Sequence, residues 1–138
     1  MRFTSLGTIR VIGAEAYGVN ITILQDGRQY IAWGTIYPGF VVNRSFYVKS
    51  KSNILVTLNL SISNITLKNS KGESISEAPE LKDPLSITWN YNNTLLKPNE
   101  EIYVTLTLKA SSETIFVDYL VANNVKEFYF DTLIAAVP

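Results

Sequence analysis

The 138-residue chain contains no cysteine and no histidine, and its 12 Lys+Arg residues balance 12 Asp+Glu. Each absence removes a class of function. Without cysteine there is no disulfide framework, no thiol nucleophile and no thiolate metal site. Without histidine, the commonest general base and the commonest transition-metal ligand are both missing. A net charge of zero offers no basic face, so nucleic acid and anionic membrane are not expected as partners. No apolar run reaches the length of a membrane-spanning helix, and Arg2 and Arg10 interrupt the N-terminal stretches that could serve as a leader. The chain therefore reads either as a cytosolic protein or as a mature one whose leader has been removed.

What is present points to strands. Ser and Thr number 24 and Asn 12, so uncharged residues with strand or turn preference fill most polar positions. That surface is commoner outside cells than inside. Ile54, Val56, Leu58, Leu60 and Ile62 alternate with polar or outward positions, and Ile102, Val104, Leu106 and Leu108 do the same. Val42, Phe46 and Val48, and then Leu85, Ile87 and Trp89, repeat the pattern, with Arg44 the exception on its face. Turn chemistry separates these runs. Asp26-Gly27 suits a two-residue hairpin loop pairing Ile23 with Tyr30. Pro38-Gly39 and Pro98-Asn99 suit type II turns.

Strands are expected near 8–16, 20–25, 29–33, 41–49, 54–62, 85–90, 101–109, 114–121 and 126–134. Eight or nine short strands without a long helix make one all-β domain over 1–138. The expected form is a two-sheet antiparallel β-sandwich, jelly-roll or immunoglobulin-like, with Trp33, Trp89, Phe46, Phe128 and Phe130 supplying core bulk. Residues 67–84, rich in charge and with two prolines, read as a solvated surface loop with one helical turn at Ser76–Leu81.

Catalytic and metal chemistry find little support. Glu100 and Glu101 are adjacent and the aspartates are scattered, so no carboxylate pair suggests itself. A calcium loop from Glu73, Glu77, Glu80 and Asp83 matches no defined spacing. No enzyme activity, cofactor or metal is expected. The positive chemical signal is five Asn-x-Ser/Thr triplets, at Asn20, Asn43, Asn59, Asn64 and Asn92, where chance gives about two. In an exported, glycosylated protein these would be N-glycan acceptors, with Asn43 and Asn59 on wet faces. The long uncharged runs 54–62 and 101–109 would pair with another chain if left at an edge. Residues 1–16 supply a candidate donor strand, with Thr8, Ile9, Val11, Ile12, Ala14 and Ala16 as interface positions.

Trp33-Gly34-Thr35-Ile36-Tyr37-Pro38-Gly39, then Asn43-Arg44, Tyr47-Val48-Lys49 and Ile87-Thr88-Trp89-Asn90-Tyr91, resemble a group of secreted archaeal β-sandwich proteins. The likeness runs from the opening Ile9–Tyr17 segment through Leu96–Glu100 to Val104–Leu108. That group is similar to the TasA/camelysin-like filament subunits and to archaeal bundling-pilus subunits. The resemblance implies a jelly-roll that polymerises by donating its first strand to a neighbour, making the partner a second copy of itself in an extracellular or cell-surface homopolymer. The alternative is a monomeric secreted binding or adhesion module, with the 67–84 loop or Tyr37, Tyr47 and Tyr103 as its ligand face. Camelysin relatives are sometimes labelled metallopeptidases, a label that a chain without histidine does not support.

Overall fold

In the computed structural model, residues 3–75 and 84–138 are described. Alternation of apolar and polar residues builds ten strands: β1 (Phe3–Ile12), β2 (Ala14–Tyr17), β3 (Thr22–Ile23), β4 (Gln29–Ile36), β5 (Val41–Ser50), β6 (Thr57–Asn69), β7 (Ser74–Ile75), β8 (Leu85–Trp89), β9 (Glu101–Ala110) and β10 (Val125–Val137). One helix, α1 (Thr114–Ala122), precedes the last strand. The strands form a six-stranded sheet in the order β3-β4-β1-β10-β6-β7 and a four-stranded sheet in the order β2-β5-β9-β8. This is the all-β two-sheet sandwich expected from the period-two pattern.

The two inner faces carry the core. Phe46, Val48, Val104, Leu106 and Leu108 of the smaller sheet face Phe3, Ile9, Ile31, Trp33, Phe128, Phe130 and Ile134 of the larger, all nearly solvent-free. Burying each large side chain contributes about 1.5–3 kcal/mol before entropy is charged against it. Trp89 lies only partly in this core, edge-on to Tyr91.

Five expectations need correction. The first run does not continue unbroken to residue 16: Gly13, at φ +70°, breaks it, leaving β1 in the larger sheet and sending β2 to the smaller. The sandwich is also not wholly antiparallel, because β1 and β10 pair in parallel, Thr4 opposite Glu127 through Ile12 opposite Ala135. Residues 114–121 form a helix. Phe116 and Leu120 are its buried residues, and a spacing of four serves a strand face and a helix face equally, so periodicity alone misassigns it.

The segment from Leu67 is not loop from its start. β6 runs to Asn69, the chain reverses through Gly72 at φ +77°, and β7 pairs back onto Leu67 and Lys68. The expected helical turn at 76–81, and Glu77, Glu80 and Asp83, lie outside the described residues. Finally, the Asp26-Gly27 hairpin is shifted by one, with Thr22 opposite Tyr30 and Ile23 opposite Gln29. Only Gly27 there adopts positive φ, so the two-residue turn that requires it at Asp26 as well does not form. The Pro38-Gly39 and Pro98-Asn99 turns form as read, with Gly39 at +84°, Asn99 at +64°, and Tyr37 and Lys97 carbonyls accepting from Phe40 and Glu100 amides.

Candidate functional site: the slot filled by the first strand

β1 occupies the interior of the larger sheet, antiparallel to β4 on one side and parallel to β10 on the other. Its outward residues Thr4, Thr8 and Arg10 are exposed, and its inward residues Phe3, Ser5, Gly7 and Ile9 are buried. Phe3 meets Phe128 at 4.9 Å and Phe116 at 6.3 Å between ring centroids, both edge-on. Removing β1 would open the core and leave ladder groups of β4 and β10 unpaired, a cost no folded sandwich carries.

Gly13 alone carries the chain from β1 in the larger sheet to β2 in the smaller. Its carbonyl accepts from the Lys51 amide at 3.0 Å and from Ser52 Oγ at 3.3 Å, and a Cβ at this position would come within 3.0 Å of Ala136 Cβ. The hinge is therefore tight, and its left-handed backbone and the crowding against Ala136 together favour glycine.

The wall formed by β4 is irregular. Its register against β1 shifts between Ser5 and Leu6, so Trp33 is the extra residue of a bulge closed by Gly34 at φ +80°. From β5, Arg44 reaches this bulge: Nε donates to the Ala32 carbonyl and Nη2 to the Trp33 carbonyl, both at 3.1 Å, while the guanidinium lies 5.9 Å from the indole centroid. Two outward carbonyls of β4 are thus occupied by a cation, which closes that stretch of the edge to another strand. Arg44 was the one residue out of pattern on its strand. Its charge serves the neighbouring sheet.

The sequence-predicted interface residues are not all brought together. Thr8, Ile9, Val11 and Ile12 share β1, whereas Ala14 and Ala16 lie in β2, paired with Ser50 and Val48 of the other sheet. Thr8 Oγ1 donates to Asp131 Oδ1, and Asn64 Nδ2 donates to Asp131 Oδ2 at 2.8 Å. These groups line a shallow outer concavity of about 610 Å³ together with Arg10 and Arg28. Of the two suspected edge runs, 101–109 is covered on both sides, whereas 57–62 is paired on its β10 side and has no strand partner on its other side among the described residues. β9 is central, and β6 lies one place from the edge, with β7 covering only Leu67 and Lys68 and a single bridge joining Val56 to Leu96.

The glycan acceptor candidates divide by what their amides do. Asn20 Nδ2 donates to the Ser45 carbonyl at 2.8 Å, and Asn64 Nδ2 is held by Asp131. Asn43 and Asn59 are exposed on strands, and Asn92 is exposed in the loop after β8, where its Oδ1 accepts from the Thr94 amide. A glycan on Asn20 or Asn64 would replace an existing hydrogen bond; one on Asn43, Asn59 or Asn92 displaces none among the described residues.

On the outer face of the smaller sheet, Tyr17, Tyr47 and Tyr103 form a row across three strands, with centroids 5.5 and 4.8 Å apart. Tyr37 is not part of it and packs instead on Phe40. Two titrations are perturbed. Hydrogen bonds from the Arg28 amide and guanidinium lower the Asp26 carboxyl, and the bond from Tyr129 Oη to Glu127 Oε2, 2.6 Å long, raises the Tyr129 hydroxyl. Among the described residues no three acidic side chains gather as a metal site, and no helix is long and apolar enough to cross a membrane.

Comparison with known proteins finds no family model that matches the chain and no curated protein similar to it.

Proposed function

We propose that this protein is a structural subunit of an extracellular or cell-surface filament, assembled as a homopolymer in which β1 of one copy fills the β4–β10 slot of the next. The observation that supports it is the way β1 is held. It contributes a full central strand to the core, yet a single residue, Gly13 at φ +70°, separates it from β2, which belongs to the other sheet. A second copy's β1 would make the same side-chain and ladder contacts, so the difference between closed and exchanged forms is concentrated at Gly13 and in the entropy of association. Releasing the short β2 pairing as well would lengthen the hinge by four residues, about 13 Å when extended. Exposed Asn43, Asn59 and Asn92 would carry N-linked glycans on the outer surface.

The experiment is electron microscopy with light scattering of purified protein over rising concentration. Filaments are the expected result. A population that stays monomeric at millimolar concentration contradicts the reading. The tyrosine row supports a second reading, a monomeric secreted binding or adhesion module; specific glycan binding by that monomer, lost in Tyr47→Ala, would favour it.

A further inference from the structure

We infer that Trp33 reads Gly7, so that the slot accepts in trans only a strand with glycine at that place: β1 of a second copy of this chain, in its own register. This rests on the strand-exchange reading and names the partner that reading requires. The inward residues of β1 run large, small, absent, large: Phe3, Ser5, Gly7, Ile9. The bulge in β4 carries the Trp33 indole over the position where a side chain is missing, and a Cβ on Gly7 would lie 3.0 Å from Trp33 Nε1 and 3.4 Å from the Phe130 ring.

Gly7 is not among the glycines with positive φ, so space rather than backbone freedom calls for glycine here. Trp33 Nε1 is the one buried side-chain polar atom without a hydrogen-bond partner among the described residues. An indole that leaves its N–H unpaired is positioned by packing, with Arg44 bracing it from the other side.

The consequence for register follows from the pleat. A slip of one residue turns Thr8 and Arg10 inward, and a slip of two sets Ser5 or Ile9 beneath the indole. Both set a side chain where even a Cβ would press to 3.0 Å on the Trp33 indole, so the indole must shift to admit it. The same filter rejects β5, β6, β8, β9 and β10, which contain no glycine; β4 carries Gly34 but is itself one wall of the slot.

The test uses full-length wild-type protein and its Trp33→Leu variant, each incubated with fluorescent peptides spanning residues 3–12 in the native sequence or with Gly7→Val. The native peptide should enter the wild-type protein, the Gly7→Val peptide at least tenfold less, and the Trp33→Leu protein should recover most of that loss. Equal uptake of both peptides by the wild-type protein overturns the inference.

If no peptide enters either protein, strand exchange itself fails, and the Trp33–Gly7 contact is judged within one chain by thermal unfolding. Gly7→Val should lower Tm by about 10 °C, and adding Trp33→Leu should restore part of it. Losses that simply add in the double variant overturn the inference by that route as well.

Discussion

β1 and β9 are both ten-residue strands in the interior of a sheet, yet they are held differently. β9 lies between β5 and β8, enters from the Pro98-Asn99 turn and leaves into the segment before α1. β1 lies between β4 and β10 with comparable pairing, but the one residue Gly13 carries the chain from it into β2 of the other sheet. Pairing and burial decide how much a strand contributes to stability. Tethering decides whether another copy's strand can contribute the same.

The largest effects test the first half of that contrast. Phe3→Ala should cost about 3–5 kcal/mol and Leu106→Ala about 2–5 kcal/mol in urea unfolding, since both side chains are fully enclosed. Only the β1 change should also weaken capture by a second copy. If Leu106→Ala weakens capture equally per folded molecule, the contrast between the strands is broken.

Gly13→Val sharpens the second half. It places a β-branched side chain at φ +70° against Ala136, which should destabilise the closed form by about 1–2 kcal/mol. An exchanged hinge is free to extend, so assembly at a given concentration should rise about tenfold. Sedimentation velocity measures it, and unchanged or reduced assembly would show that Gly13 does not hold the balance.

Arg44→Ala should change stability by only about 1 kcal/mol. It uncovers the Ala32 and Trp33 carbonyls on the β4 edge, so concentration-dependent, irregular aggregation should appear where the wild type shows ordered assembly or none. The smallest effect is at Asp26, exposed in the turn between β3 and β4 and paired with neither strand. Its carboxyl is lowered in the folded chain, so its contribution to the β3–β4 hairpin is present above the ordinary carboxylate pKa and is lost as pH falls through the lowered value. Faster amide exchange at Arg28 in acid, absent in Asp26→Asn, is the expected sign.

Much of the frame was legible from residue order, because strand alternation and Pro/Gly/Asn turns are local signals. Val104, Leu106 and Leu108 faced inward as their phase required, and the Pro98-Asn99 reversal followed from the backbone each residue tolerates. What escaped was non-local. The parallel union of β1 with β10 joins residues more than 120 positions apart and leaves no mark in either segment. Helix α1 was hidden by the shared four-residue spacing of Phe116 and Leu120. At the candidate site, β1 was recognisable as an apolar strand, but Gly13 passed for an ordinary member of it. Gly7 acquires meaning only once Trp33 is known to lie across it, and Arg44 only once β4 is known to lie within its reach.

Because the chain lacks cysteine, one cross-linking measurement bears directly on whether β1 passes between copies. Thr8 and Tyr30 are register partners across β1 and β4, at a separation suited to a disulfide. Thr8→Cys and Tyr30→Cys proteins, mixed under assembly conditions and oxidised, should give a covalent dimer joined through those two positions. If the single variants remain unlinked while the double variant closes a disulfide within its own chain, each β1 stays at home and the filament account is wrong.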